Sequence, residues 1–251
     1  MIKRTLTYII AALTCIASVS CKKDTTLQYD NMTMGNVTDG TFVSDQGNIF
    51  NVVEQDKSLE KNLLDMERAY ILCDVLNKTE GGLDNEYDIR LKAMVEVRVK
   101  EIIALGTETE AEKLVEDPAH IEYAWFSGGY LNLYIIFPIK ENSETPHMVN
   151  LVQQETENGY TFKLTHNSYG ENLNNGNPDE YVMAGAYISF PVSTLILEDT
   201  ANVKLEWTWH KSSGTFLIKE TEQRYMEGKY VKGDFKHGPK TMSVMTKAAI
   251  K

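Results

Sequence analysis

Cys21 is the residue of this sequence with the clearest chemical role. A short cationic start precedes an apolar run over residues 6–19, which is the pattern of a secretory signal. The run is shorter than the roughly 20 apolar residues that a transmembrane helix needs. Cys21 follows the small residues Ser18 and Ser20 and precedes a hydrophilic stretch. We therefore expect residues 1–20 to be a signal peptide and the Cys21 thiol to be the site of lipidation.

The context of Cys21 resembles the lipoprotein signals of Gram-negative bacteria, although Ser18 stands where leucine is usual. Ser18-Val19-Ser20 also satisfies an ordinary cleavage site, so export followed by release is the alternative. Lys22 gives no inner-membrane retention signal of the kind that an aspartate provides there. We expect a lipid anchor in the outer membrane, with the chain on the periplasmic or the cell-surface side.

The histidines are the next candidates, because paired imidazoles bind metals. His147 and His166 lie in two alternating segments around Asn158-Gly159, which predicts a hairpin with a two-residue turn. This register places Leu151 opposite His166 and separates the two histidines by about 13 Å, given the rise per residue of a strand. We expect both histidines to be structural and predict no metal site. The sequence places no second ligand beside His120.

The carboxylates and thiols form no recognisable reaction motif. The polar run Asp84–Asp88 could supply oxygens to calcium, but it lacks the glycine and terminal glutamate of a calcium loop. Phosphate-binding loops, dinucleotide fingerprints and nucleophile elbows are missing from the sequence. Cys73 lies on the same strand face as Ile71 and Val75, which predicts a buried small hydrophobe rather than a reactive thiol. We expect no catalytic residues and no cofactor.

The net charge of the chain limits the classes of partner that it can bind. The formal net charge is −11, and loss of Lys3 and Arg4 with the signal peptide lowers it to −13. Such a chain repels the phosphate backbone, so we expect no nucleic-acid partner. The expected partners are the membrane, through the anchor on Cys21, and a protein or a glycan.

Alternation with period two follows Cys21 and predicts a mostly β fold. The predicted strands are 41–43, 49–53, 69–76, 87–103, 123–126, 130–139, 147–154, 160–166, 182–192, 201–209 and 215–218. Charges between Arg90 and Lys100 are assigned to the solvated face of their strand. Trp207 and Trp209 share a face with Val203, which predicts core packing rather than a sugar platform, and His210 points away from them.

The pattern also predicts the domain organisation. Residues 21–37 are polar and unpatterned, as in a tether. Residues 107–115 predict a short helix ended by Asp117-Pro118, where we place a boundary between domains at 38–117 and 118–225. Residues 226–251 carry an excess of lysine and predict a solvated or partly disordered basic tail.

The order and spacing of several segments resemble the NigD-like lipoproteins. In the second half of the chain these segments are Trp125–Leu133, His147–Val152 and Leu164–Glu171. In the first half, Asp45–Asn48 and Glu67–Leu72 look like the first hairpin of that family and the approach to its next strand. The resemblance covers about residues 38 to 210.

The resemblance implies an N-terminal OB-like barrel followed by a C-terminal antiparallel β-sandwich. It brings no defined catalytic or ligand residues, and the family name comes from a bacteriocin-associated operon. We expect a non-catalytic envelope lipoprotein that presents its β domains to a protein or glycan. The alternatives are an extracytoplasmic hydrolase, whose carboxylates meet only in the fold, and a bacteriocin-associated accessory lipoprotein.

Overall fold

The computed structural model describes residues 27–28, 32–59, 62–104, 106, 108–155, 160–171, 177–192, 200–211 and 215–226. The signal peptide, Cys21, the Asn158-Gly159 turn, the side chain of His210 and the tail beyond Met226 lie outside the described residues. Within the described part, the structure contains no helix with the length and apolar character to cross a membrane.

The first six strands form one sheet that closes on itself. They are β1 (Leu27–Gln28), β2 (Thr33–Thr38), β3 (Thr41–Ser44), β4 (Ile49–Gln55), β5 (Arg68–Lys78) and β6 (Glu86–Glu96). The sheet order is β1-β5-β2-β3-β4-β6, and an additional pairing of β5 with β6 closes a five-stranded barrel from β2 to β6. This confirms the mostly β fold and its N-terminal barrel.

Alternation explains the interior of the barrel. On β6, Ile89 and Leu91 are buried while Arg90 and Lys92 are exposed, so one face of the strand is apolar and the other faces solvent. Cys73 lies in the same core and is 1% exposed. The prediction that its side chain is a buried small hydrophobe is confirmed.

The structure corrects two N-terminal predictions. Residues 33–37, predicted as tether, form most of β2, which pairs with β3 and β5. Gly35 allows this close approach, since a Cβ there would lie 2.3 Å from the Val43 carbonyl oxygen. The strand predicted over residues 87–103 ends at Glu96. Lys100 was predicted on the solvated face of that strand but lies beyond its end. Its Nζ donates to the Val149 carbonyl oxygen at 2.6 Å.

Eight further strands form two four-stranded sheets that face each other as a β-sandwich. They are β7 (Arg98–Val99), β8 (His120–Ser127), β9 (Tyr130–Lys140), β10 (Met148–Gln154), β11 (Tyr160–Asn167), β12 (Tyr181–Pro191), β13 (Thr200–Lys211) and β14 (Thr215–Met226). The sheet orders are β7-β12-β9-β8 and β10-β11-β13-β14. Val203, Leu205 and Trp207 on β13 are buried in the core between them. The predicted sandwich and the core position of Trp207 are confirmed. Its sheets are not wholly antiparallel, because β11 pairs with β13, and β7 with β12, in parallel.

The predicted helix over residues 107–115 is wrong. Its described part contains one 3-10 turn, Ala111–Leu114, and none of these four residues is buried. Glu110 makes no capping hydrogen bond with its side chain. Without an apolar face to bury, such a short segment does not sustain a helix. The chain continues extended from Val115, and Glu116 forms a bridge to His166 on β11.

The hairpin of β10 and β11 is present, but its predicted register is wrong. Val149 lies opposite His166 and Leu151 opposite Leu164, which is a shift of two residues from the expected pairing. A two-residue turn at Asn158-Gly159 would require Gln154 to face Lys163, whereas it faces Thr161. The centre of the pairing therefore lies one residue earlier in the chain than the sequence pattern predicted. The shift moves His147 beside His166.

Candidate functional site

A buried ion pair joins the barrel to the sandwich. Arg68 on β5 is fully buried, and its two terminal nitrogens donate to the Asp45 carboxylate at 2.9 and 2.7 Å. Its Nε donates to Ser189 Oγ at 2.9 Å, and Nη2 also donates to Asn132 Oδ1 at 3.1 Å. Ser127 Oγ donates to Asp45. We call Asp45, Arg68, Ser127, Asn132 and Ser189 the joint cluster.

Four of the five residues of the joint cluster come from segments that the sequence resemblance singled out. Asp45 and Arg68 come from the two barrel segments, and Ser127 and Asn132 come from the segment Trp125–Leu133. A buried arginine needs a partner because an isolated charge is costly in the interior. The hydrogen bonds satisfy Arg68 from both domains, so the cluster fixes their relative position.

His147 and His166 lie in direct contact, which overturns the expected separation of about 13 Å. His147 Nδ1 is 2.9 Å from His166 Nε2, and both side chains are almost fully buried. His166 Nδ1 is 3.0 Å from the Pro118 carbonyl oxygen. The Phe137 ring packs against both imidazoles. The sequence failed here because the register of the hairpin decides which residues meet.

The contact with the Pro118 carbonyl determines which imidazole nitrogens of this pair carry a proton. A carbonyl only accepts, so His166 carries its proton on Nδ1 and accepts from His147 Nδ1 through Nε2. His147 Nε2 lies 3.6 Å from Glu171 Oε2, which is longer than a hydrogen bond. Burial lowers the pKa of His147, and it lowers that of His166 to about 4 with help from the neighbouring imidazole. Among the described residues, no group of three or more His, Cys, Asp or Glu side chains converges on a metal position.

A pocket of about 480 Å³ opens at the side of the sandwich, where β8 and β14 are the outer strands of their sheets. We call it the lateral pocket. It is lined by His120, Ile121, Glu122, Ala124, Trp207, Lys219, Glu220 and Thr221. The lining of the pocket therefore combines side chains of both charges with a core tryptophan.

His120 is held in one orientation at this pocket. Trp207 Nε1 donates to His120 Nδ1 at 3.0 Å, and the imidazole packs against the rings of Trp207 and Trp209. Because Nδ1 accepts, the neutral imidazole carries its proton on Nε2, which lies 3.5 Å from Glu122 Oε2. Burial and the nearby charge of Lys219 lower the pKa of His120.

This arrangement suits recognition better than proton transfer. A general base must present a lone pair to the substrate, and both nitrogens of His120 already face a partner. The sequence offered no second group beside His120, because Trp207 lies 87 residues away and reaches it only through the packing of the two sheets. The histidine itself was recognised from the sequence, but its partner was missed.

The other predicted candidates lie apart from the lateral pocket. Burial raises the pKa of the Cys73 thiol to about 12, which disfavours the reactive thiolate. In the run Asp84–Asp88, Asp84 pairs with Lys78, Glu86 accepts from Asn51, and Asp88 accepts from other side chains. These carboxylates are engaged in hydrogen bonds of the turn region.

The sandwich matches a known family. Residues 101–225 match the model of the NigD-like C-terminal beta sandwich domain. The chain belongs to the NigD-like family. No curated protein matches the sequence of this NigD-like chain.

Solved structures share the fold of this NigD-like protein. A NigD-like immunity protein from Bacteroides caccae superposes with a TM-score of 0.55 and 18% identity, over 78% of this chain and 96% of that chain. A predicted toxin-related protein from Parabacteroides distasonis gives 0.54 and 19%, over 78% and 92%. A predicted lipoprotein from Bacteroides fragilis gives 0.54 and 14%, over 79% and 98%. At such identities the likeness establishes the fold alone.

Proposed function

We propose that this NigD-like protein is an outer-membrane lipoprotein, anchored through Cys21, that binds a protein or glycan partner at the lateral pocket without catalysing a reaction. The hydrogen bond from Trp207 to His120 is the observation that carries the proposal. It holds the histidine of the pocket as a donor at Nε2, beside charged groups that discriminate between partners. The neutral imidazole can therefore donate to a bound partner without a proton transfer.

Two observations support the anchor. Cys21 ends a secretory signal pattern and precedes a hydrophilic stretch. The fold is shared with a predicted lipoprotein from Bacteroides fragilis.

The tight joint between barrel and sandwich suits a protein that presents a fixed surface, because Arg68 is satisfied by residues of both domains.

A hydrolase is the alternative from a different class. It would require a histidine or carboxylate of the pocket to exchange protons with a substrate. His120 could accept a proton at Nε2 only by changing tautomer, and that change breaks the hydrogen bond from Trp207. This cost disfavours His120 as the base of a hydrolase.

Photo-crosslinking in the native envelope tests the site. A photoreactive amino acid replaces Glu122 in the full chain, and the control replaces Glu54 on the barrel, whose side chain has comparable exposure (52% against 40%). We expect adducts with a partner from position 122 and none of that kind from position 54. Equal labelling at both positions contradicts a site at the lateral pocket.

Direct binding completes the test. The crosslinked partner, or a glycan found on a glycan array, is titrated against the purified chain and its Lys219→Glu variant. We expect the variant to bind at least tenfold more weakly, because the charge beside His120 is reversed. Cleavage of the bound partner would contradict the non-catalytic role.

A bacteriocin-associated accessory role is the second candidate, because the fold is shared with a NigD-like immunity protein from Bacteroides caccae. Expression of the full chain in a bacteriocin-sensitive bacterium should raise the lethal dose of the toxin. An unchanged dose for every bacteriocin of a panel would rule against this role.

A further inference from the structure

Four groups form a chain of contacts at one end of the sandwich. The Pro118 carbonyl oxygen meets His166 Nδ1 at 3.0 Å, and His166 Nε2 meets His147 Nδ1 at 2.9 Å. His147 Nε2 then faces Glu171 Oε2 at 3.6 Å. Both of these atoms are buried, and neither has a hydrogen-bond partner among the residues that the structure describes. We call these four groups the histidine chain.

Counting protons explains why the last contact is long. Each of the three contacts needs one proton to become a hydrogen bond. Two neutral imidazoles supply two protons, and the Pro118 carbonyl places both of them in the first two contacts. His147 Nε2 and an ionised Glu171 therefore face each other as two acceptors. A third proton would turn this contact into a charge-assisted hydrogen bond.

Other polar groups hold the Glu171 carboxylate in place. Ser143 Oγ donates to the remaining oxygen of Glu171, and Thr145 and the backbone of Lys140 also hydrogen-bond to this carboxylate. The His147 side chain is 1% exposed, whereas that of Glu171 is 18% exposed. A proton can therefore reach the pair from the Glu171 side.

The charged groups around the pair come from three elements. His166 lies on β11, and the Asp117 carboxylate, ahead of β8, acts on both histidines. Asp117 accepts from the backbone and the hydroxyl of Ser168. Lys140, at the end of β9, interacts electrostatically with Glu171, but its ammonium group forms an ion pair with Glu180 at 3.1 Å.

We propose that His147 Nε2 and Glu171 Oε2 form a proton-binding site that is unprotonated at neutral pH and takes up one shared proton on acidification. The shared proton ties the turn at residues 168–171 to the start of β10. Burial lowers the pKa of His147, and hydrogen bonds outweigh burial to lower that of Glu171, which agrees with an unprotonated pair at neutral pH.

Imidazole nitrogen NMR on the full chain, with pH lowered from 7.5 to 4.5, tests this site. We expect Nε2 of His147 to gain a proton before either nitrogen of His166 changes state. In Glu171→Gln, the amide donates to Nε2 without any proton uptake, so the proton affinity of His147 should fall at least tenfold. Glu144→Gln, an exposed change in the preceding loop, serves as the matched control and should leave the titration unchanged.

Three outcomes would overturn the proposal. The first is a proton affinity of His147 that Glu171→Gln changes by less than twofold. The second is proton uptake at His166 before His147. The third is a Glu171 amide proton in the wild-type chain whose exchange, corrected for intrinsic pH dependence, is no slower at pH 5 than at pH 7.5. This last measurement needs no variant, so the test holds even where Glu171→Gln fails to fold.

Discussion

The Arg68 guanidinium and the Asp45 carboxylate form a bidentate pair, with contacts of 2.9 and 2.7 Å, inside the contact between barrel and sandwich. Both side chains are almost completely buried, and the Tyr130 ring lies 4.2 Å from the guanidinium carbon. Arg68 therefore belongs to the packing of both domains at once. The two domains should unfold as a single cooperative unit.

Asp45→Asn should destabilise the whole chain by about 3–5 kcal/mol, because it leaves the buried Arg68 charge without a counter-charge. Urea denaturation followed by tryptophan fluorescence measures the free energy of unfolding. Glu54→Gln is the control, since its pair with Arg90 is exposed and such pairs contribute roughly 0–1 kcal/mol. Equal losses in the two variants would contradict a role for the joint in stability.

Gly128→Ala should be more damaging than Gly129→Ala. Both glycines have positive φ, 60° and 84°, so both variants carry backbone strain. Only at Gly128 would the new Cβ also lie 2.3 Å from Asp45 Oδ1, which displaces the joint. We expect an extra loss of about 1–3 kcal/mol from this overpacking, measured by urea denaturation. A smaller loss for Gly128→Ala than for Gly129→Ala would show that the contact relaxes freely.

The sequence predicted the features that depend on local pattern. Alternation identified the face of β13 that carries Val203 and Trp207, and the burial of Cys73. It failed where distant strands decide the outcome. The His147–His166 contact depends on a hairpin register that the turn residues did not set, and the Trp207–His120 bond depends on how two sheets pack. The domain boundary near residues 116–118 stays a prediction.

The sandwich should lose stability as the pH falls from about 6.5 to 4. Burial, followed by the charge of His147, lowers the pKa of His166 to about 4. The unfolded chain binds a proton at this residue below pH 6.5, whereas the folded chain does so only near pH 4, so acid favours unfolding at up to about 1.4 kcal/mol per pH unit. His166→Gln removes the contribution of this histidine to the pH dependence of the free energy of unfolding. Urea denaturation at several pH values should therefore give a shallower slope than in the wild type, and an unchanged slope would contradict the assignment.

Cys21→Ala should move the protein from the membrane fraction to the soluble fraction. Stable anchoring depends on acyl chains, each buried methylene of which contributes about 0.8 kcal/mol. Cell fractionation and immunoblotting measure the distribution. Ser20→Ala, which keeps a small residue ahead of the cysteine, is the control and should remain in the membrane fraction. Membrane retention of Cys21→Ala would refute the anchor.

Trp207→Phe should change the protonation of His120 while keeping an aromatic ring in the core. The indole Nε1 donates to His120 Nδ1, which favours the neutral imidazole, so loss of that donor should raise the pKa of His120. Trp209→Phe is the control, because its ring also packs against His120, 5.2 Å between centroids. Imidazole NMR titration measures both variants. A larger rise in Trp209→Phe than in Trp207→Phe would mean that ring packing, rather than the hydrogen bond, fixes the state of the histidine in the lateral pocket.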